Sequence, residues 1–461
     1  MGPSTPGGPA RQSMTLARQL AGGGRPLLGL MALALLIRLT LLAMVTGMPC
    51  SHDQCDYLDL ASGVAAGLGL ATHDGYLWPP GFIAFLAFCK ALAGDNLFAP
   101  RLLQVLLSTA TVPLIFILGR RFHGRPAGLA AAAVFAVYPN LVGFTHLLWP
   151  ATFYIFWFLL GITLLLGLEA PSRRIVAAAG ICLGLAALVR GQALYFAPLA
   201  AAWLVLSAAR EDRRQRLGLA ALLIAFTLVP ILPWSVRNAA TFHRFLILDS
   251  TTGRNLYIGT NVPPPANWDY GFNERRRVHG GRERCGEANI VDADRCEVRN
   301  AVAFMVSHPG LMLARVPLKW ADLLNPSSFV IRHARLDKYP HIFSRPELSL
   351  LTVVAAGAWM AVAILGVLGL ILLPPWTGRG LVITLLLYHL ALHALTFGMT
   401  RFRLPMVPFL ILAGAPLLVG TWRQMAAAGP TRRVVAAGVL AALLALWIAR
   451  FPQVFDVFLP L

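Results

Sequence analysis

Acidic side chains are scarce in this chain. Its 461 residues hold 20 Asp and Glu against 39 Lys and Arg, and only 13% are charged while 57% are hydrophobic. So little charge excludes a soluble globular domain, in which about a quarter of residues are charged. The chain also lacks acids at the middle of any of its apolar runs. Proton- or cation-coupled transporters use intramembrane ionisable groups, so this absence argues against a secondary transporter. The first apolar run, 26–48, has no small-residue cleavage site of the signal-peptide kind and is expected to stay as an anchor. What the chain has instead is a series of apolar runs of roughly 20 residues, the length that crosses a bilayer. Backbone groups in hydrocarbon must be satisfied within the segment, so these Leu/Ala/Val/Ile runs predict helices rather than strands. The expected fold class is all-α, a polytopic membrane protein. A net charge of +19 would suit nucleic acid in a soluble protein. Here the Arg clusters punctuate apolar runs, as orienting loop charges do, so no nucleic-acid partner is expected.

Spans are expected near 26–48, 99–119, 126–145, 151–168, 175–190, 193–209, 217–235, 349–373, 380–398, 405–420 and 433–450, about eleven in all. The short basic loops between them, such as Arg120-Arg121 and Ser172-Arg173-Arg174, share one side only if the chain starts inside and ends outside. The apolar stretch 78–94 then lies at the outer interface within the first external loop. Four parts follow: a cytoplasmic tail 1–25, an N-terminal membrane module 26–235 that includes the external loop 49–98, a large external loop 236–348, and C-terminal spans 349–461. The large loop carries about sixteen Lys or Arg and eleven acids. Loops longer than about 60 residues are exempt from the positive-inside rule. Its basic face could meet anionic headgroups, receive an anionic substrate or simply be solvated.

The acids concentrate where a membrane meets water. Asp53, Asp56 and Asp59 fall within seven positions directly after the first span, in Cys50-Ser51-His52-Asp53-Gln54-Cys55-Asp56-Tyr57. Only Glu169, Glu211 and Asp212 are assigned to the cytoplasmic side. Arginines recur at outer span ends: Arg101, Arg190, Arg237, Arg401 and Arg403. A guanidinium is always charged and forks onto phosphate oxygens, so five converging beside a carboxylate cluster suit a lipid phosphate, although each alone could anchor a helix end by snorkelling. Arg38 lies mid-span and needs a partner or water. Cys285 and Cys296, in the external loop, have a spacing that could close a disulfide in an oxidising compartment. Cys50 and Cys55 could be bridged too, or join His52 and Asp53 at a metal, for which such short mixed spacing is a weak signal.

The order of motifs resembles the bacterial branch of the GT-C membrane glycosyltransferases, which holds protein O-mannosyltransferases and lipid A aminoarabinose transferases. The strings that carry it are Asp53-Gln54-Cys55-Asp56-Tyr57-Leu58-Asp59-Leu60-Ala61, Trp78-Pro79-Pro80-Gly81-Phe82, Pro100-Arg101-Leu102-Leu103-Gln104, Leu232-Pro233-Trp234-Ser235-Val236-Arg237-Asn238, Gly253-Arg254-Asn255-Leu256-Tyr257-Ile258-Gly259 and Arg401-Phe402-Arg403-Leu404-Pro405. Two positions depart from the family. Leu77-Trp78 stand where aminoarabinose transferases carry a basic residue before the paired prolines, and His146 stands near where many relatives carry a Glu.

The resemblance implies a polyprenyl-phosphate-linked sugar as donor, used on the outer, periplasmic face of a bacterial inner membrane. It implies that Asp53, four residues before Tyr57, is the catalytic position. The expected mechanism is inverting: Asp53 takes the proton of an acceptor hydroxyl while Arg101, Arg190, Arg237, Arg401 and Arg403 bind the departing phosphate. His52, Asp56, Tyr57, Asn238 and Tyr257 stand as supporting residues. No cofactor is fixed by the sequence and a divalent metal stays open. A lipid, a glycan or a protein remains open as acceptor. Asp53 could alternatively cap the helix expected from about residue 54 to 68. Two other functions fit the same pattern of spans and basic outer ends, a lipid-carrier flippase and a periplasmic glycan polymerase or ligase.

Overall fold

The computed structural model describes residues 20–72, 75–167, 172–209, 211–261, 285, 289–335 and 342–455. Residues 1–19 of the expected tail, together with Asp74, Glu169 and Asp456, lie outside the described residues. Among the described residues every regular element is a helix, as hydrocarbon demands of a chain that must satisfy its own N–H and C=O groups. The chain is an all-α, multi-pass membrane protein. Five helices are long and apolar enough to cross a bilayer: Gly24–Met44, Phe98–His123, Arg345–Leu372, Thr400–Leu418 and Pro430–Arg450. Two bent pairs raise the number to seven if each is one span. Shorter apolar helices such as Arg125–Val137, Ala151–Leu166, Gln192–Leu206 and Arg379–Leu395 lie at other expected positions.

The breaks have local causes. The helix Arg125–Val137 stops at Tyr138, whose extended backbone precedes Pro139, the first residue of the short helix Pro139–Gly143. A residue before proline is pushed away from the helical region, and proline's missing N–H is best tolerated in a first turn. Pro230 lies in the turn between Arg213–Leu228 and Leu232–Phe242, which meet at 47°, although Val229 before it keeps a helical backbone. His308, before Pro309, separates Ile290–Ser307 from Pro309–Leu324 at 105°. Where Phe98–His123 turns back into Arg125–Val137, a Cβ on Gly119 would come within 2.8 Å of the Gly128 Cα. Two glycines thus let these backbones touch, a small-residue contact typical of membrane helices.

The segment 236–348 is woven into the helical body. The carbonyl of Leu324 accepts the indole N–H of both Trp359 and Trp447, each at 2.9 Å. Trp320 donates its indole N–H to the Leu390 carbonyl at 2.9 Å, and the Lys319 ammonium donates to the Ala394 carbonyl at 2.8 Å. Helix Pro80–Ala93, at the expected interfacial stretch, buries Phe82, Ile83 and Leu86. Gly81 brings it so near the end of Arg173–Val189 that a Cβ there would lie 2.9 Å from the Leu188 backbone.

Candidate active site

A single turn of chain after the first span organises the site. A disulfide joins Cys50 to Cys55 across it, which takes both thiols out of reach of a metal. Gln54, fully buried, pins it from inside: its side-chain carbonyl accepts the Leu148 N–H at 2.9 Å. His52, between the two anchors, is held at φ 50°, a left-handed conformation unusual for any residue but glycine. Such backbone costs about 1–3 kcal/mol and persists where its surroundings over-determine it. Helix Asp53–Ala65 starts at the next residue. The cap position belongs to His52 and carries no side-chain cap bond. Asp53 therefore does not cap the helix, and its carboxylate turns outward.

That carboxylate meets Arg401, whose Nη1 donates to Asp53 Oδ2 at 3.0 Å. The two residues are 348 positions apart, so only the fold brings them together. Arg401 is packed among three rings, with its guanidinium carbon 5.6 Å from the centre of Trp149, 5.3 Å from Phe329 and 5.2 Å from Phe402. Each is within cation–π range, and together they hold the cation in place. Its Nε is buried and has no hydrogen-bond partner.

The pair faces a cavity of about 1190 Å³, lined among others by His52, Asp56, Tyr57, Arg190, Asp249 and His333. Arg190 follows the helix Arg173–Val189 in an extended conformation, and its guanidinium carbon lies 6.0 Å from the centres of both Tyr154 and Phe402. It makes no hydrogen bond or ion pair to any described residue, so its charge is available to a ligand. Tyr57 packs edge-on against Trp78 at 4.6 Å and Phe82 at 5.4 Å. Burial, then the nearby Asp53 charge, raises its phenol above the ordinary value, so it stays neutral. His333 stands edge-on to Trp149 at 4.9 Å, and burial lowers its imidazole to about 4. It too is neutral near pH 7.

The other expected arginines do not converge on this cavity. Arg101, 1% exposed, donates to the carbonyls of His146 and Met48 at 3.2 and 2.9 Å. Arg403, also 1% exposed, donates to the carbonyls of Asn325 and Ser327 and lies 4.2 Å from the centre of Trp359. Arg237 donates to the Leu70 carbonyl at 2.8 Å and stacks on Trp234. None of the three lines the cavity. Their forks are spent on backbone oxygens left over at helix ends and loops and, for Arg237, also on the Asn238 side-chain carbonyl at 3.1 Å. Asn238 is fully buried and donates to the carbonyls of Leu246 and Leu248, while Tyr257 lies on helix Thr252–Asn261 and away from the cavity lining. A disulfide joins Cys285 and Cys296. His146 is buried and outside the lining, and Arg38 is fully buried with bonds to Ser108 Oγ and to the Ala34 and Ala136 carbonyls. Among the described residues no group of three or more His, Cys, Asp or Glu could hold a metal ion.

Sequence reasoning missed the wall around the Asp53–Arg401 pair. Trp149, Phe329 and His333 come from two distant segments, and nothing in their local spelling marks them as neighbours of Asp53. Arg254 and Asn255, which also line the cavity, sit inside a motif in which Tyr257 was singled out instead.

Residues 78–234 match the family model for dolichyl-phosphate-mannose-protein mannosyltransferase. The match spans about a third of the chain and bears out the resemblance to the GT-C membrane glycosyltransferases. No curated protein matches the chain. Among solved structures, the chain is similar to the oligosaccharyltransferase AglB of Archaeoglobus fulgidus in complex with an inhibitory peptide and a dolichol-phosphate, at 15% identity and a TM-score of 0.47. That likeness covers 93% of this chain and 56% of the other, so the chain spans little more than half the length of the archaeal enzyme. It is also similar to ArnT of Cupriavidus metallidurans bound to undecaprenyl phosphate, at 16% identity and a TM-score of 0.36, over 85% of this chain and 78% of that one.

Proposed function

We propose that this chain is an integral-membrane glycosyltransferase that moves a sugar from a polyprenyl-phosphate donor to an acceptor hydroxyl, with inversion, on the periplasmic face of a bacterial inner membrane. The observation that carries the reading is the Asp53 carboxylate, which among the cavity's acids Asp53, Asp56, Asp249 and Asp294 is bonded to the ring-packed Arg401, with Arg190 nearby and its charge unspent. Transfer from a lipid phosphate asks for a base and cations so placed. The phosphate is a good leaving group and needs no general acid, so one base suffices, in contrast to the carboxylate pair of glycoside hydrolysis. Asp53 takes the acceptor's proton as its oxygen attacks the anomeric carbon, and the sugar–phosphate bond breaks on the opposite side. Arg190 and Arg401 carry the charge that develops on the phosphate. Tyr57 and His333, both neutral, shape the wall without adding charge. The match of residues 78–234 to a lipid-phosphate-sugar transferase family supports the donor class.

The test is mass spectrometry of envelope glycans and lipids from cells that carry the wild type, Asp53→Asn or no protein. Loss of a general base lowers turnover about 10²–10⁴-fold, so Asp53→Asn should lack the same sugar mass as cells without the protein. A normal sugar mass in Asp53→Asn together with its loss in Asp56→Asn would move the base to Asp56 and end this assignment.

A further inference from the structure

A phosphate on Arg401 competes with Asp53 for one cation. A guanidinium binds an oxyanion with two parallel bonds along one of its edges, either the Nε/Nη edge or the Nη1/Nη2 end. The Nε of Arg401 is buried, so the Nε edge is closed to a ligand. Trp149, Phe329 and Phe402 surround the guanidinium within cation–π range, so it is held against swinging away to offer another side. The Nη1/Nη2 end remains, and there Nη1 is already committed to Asp53 Oδ2 at 3.0 Å. A phosphate that takes both Nη groups therefore competes with the carboxylate for Nη1 and for the same positive charge.

From this geometry we infer that the Asp53–Arg401 pair is a donor-operated latch: a polyprenyl phosphate exchanges with Asp53 at Arg401, and that exchange is what frees the base. The inference rests on the glycosyltransferase reading and adds an order to it. Before donor binds, Asp53 is neutralised by a fixed cation and is a poor partner for an acceptor proton. Once the phosphate sits between Arg401 and Arg190, the carboxylate is released beside the anomeric carbon and is available to the acceptor. No covalent bond changes in the exchange; one anion replaces another on one cation. The acceptor is thus activated only in a site that already holds donor, and donor binds first. The side-chain exposures fit such a latch: Arg401 is 14% exposed and fixed, whereas Asp53 is 39% exposed and has room to leave.

The experiment measures binding of undecaprenyl phosphate to the purified, full-length protein in nanodiscs. Asp53→Asn keeps the shape of the side chain and removes the competing charge, so affinity should rise about fivefold or more, the lower end of ordinary site-to-site coupling. Asp249→Asn is the control for the general field. Asp249 also lines the cavity, and its contact is a side-chain oxygen that accepts the Thr251 N–H at 3.0 Å, which an amide oxygen can keep. Its affinity should change less than twofold. Equal tightening in both variants would mean that the cavity's charge and not the latch is at work, and would overturn the inference. So would unchanged or weaker binding by Asp53→Asn while the wild type binds, a result that leaves the donor-phosphate reading standing. If neither the wild type nor Asp53→Asn binds the lipid phosphate, the latch and the reading beneath it both fail.

Discussion

Arg403 offers the sharpest separation between a residue that binds a ligand and one that holds the fold. The Arg401-Phe402-Arg403 string places two guanidinium groups two positions apart, and spacing alone gives both the same task. In the structure Arg403 is 1% exposed, donates to the carbonyls of Asn325 and Ser327, and lies 4.2 Å from the centre of Trp359. Replacing it by Met keeps most of the volume but removes both of these hydrogen bonds. Each lost charge-assisted bond costs about 1.5–3 kcal/mol, and a desolvated cation–π contact about 1–2 kcal/mol more. The expected loss of stability is about 4–8 kcal/mol, enough to threaten folding. Arg190→Met removes no hydrogen bond and should leave thermal stability close to wild type while weakening binding of undecaprenyl phosphate about tenfold or more, as loss of a charge-assisted contact does. Melting curves and lipid-phosphate binding on the two purified variants give a double dissociation. An Arg403→Met protein that melts like wild type yet no longer binds the lipid phosphate would refute the reasoning and return Arg403 to the donor site.

The pH dependence of stability should carry the mark of His333. Burial lowers its folded value to about 4 against an ordinary value near 6.5, so between those limits the unfolded chain binds the extra proton and stability falls as pH drops. His333→Asn should flatten the melting temperature over that interval; an unaltered slope would assign it to other groups. The bridge Cys50–Cys55 closes a small ring around Asp53, and releasing such a short loop costs about 2 kcal/mol of local order. A Cys50→Ser, Cys55→Ser double variant should therefore keep its melting temperature within a few degrees but lose sugar transfer several-fold, read by the same envelope mass spectrometry, and full transfer would show that the ring does not position Asp53.

The parts of this molecule legible from the sequence are those that a single segment decides. Each of the eleven expected spans carries a helix, because apolar length and the need to satisfy the backbone act within one stretch of chain. Their continuity was less legible, since a proline such as Pro139 or Pro230 decides between one straight helix and a broken one only through its neighbours' packing. The acid cluster Asp53, Asp56 and Asp59 stood out for a similar reason, because carboxylates are rare in its surroundings, while the choice of Asp53 within it rests on the resemblance.

The arginines show the limit. Arg101, Arg190, Arg237, Arg401 and Arg403 look alike in sequence, each a lone cation at the outer end of an apolar run. What separates them is the supply of carbonyl oxygens nearby. Met48, His146, Leu70, Asn325 and Ser327 expose their oxygens where helices and turns end, and a buried cation takes whichever acceptors are in reach, because an unpaired one is too costly to keep. Three of the five arginines are consumed this way. Arg190 finds no such acceptor among the described residues, and Arg401 finds only Asp53, behind a screen of rings contributed by Trp149, Phe329 and Phe402. A cation within a cavity that the backbone has not satisfied is the one with free energy left to bind a ligand. Which arginines those are is a property of where distant carbonyls come to rest, and no run of residues around any one of them contains that information.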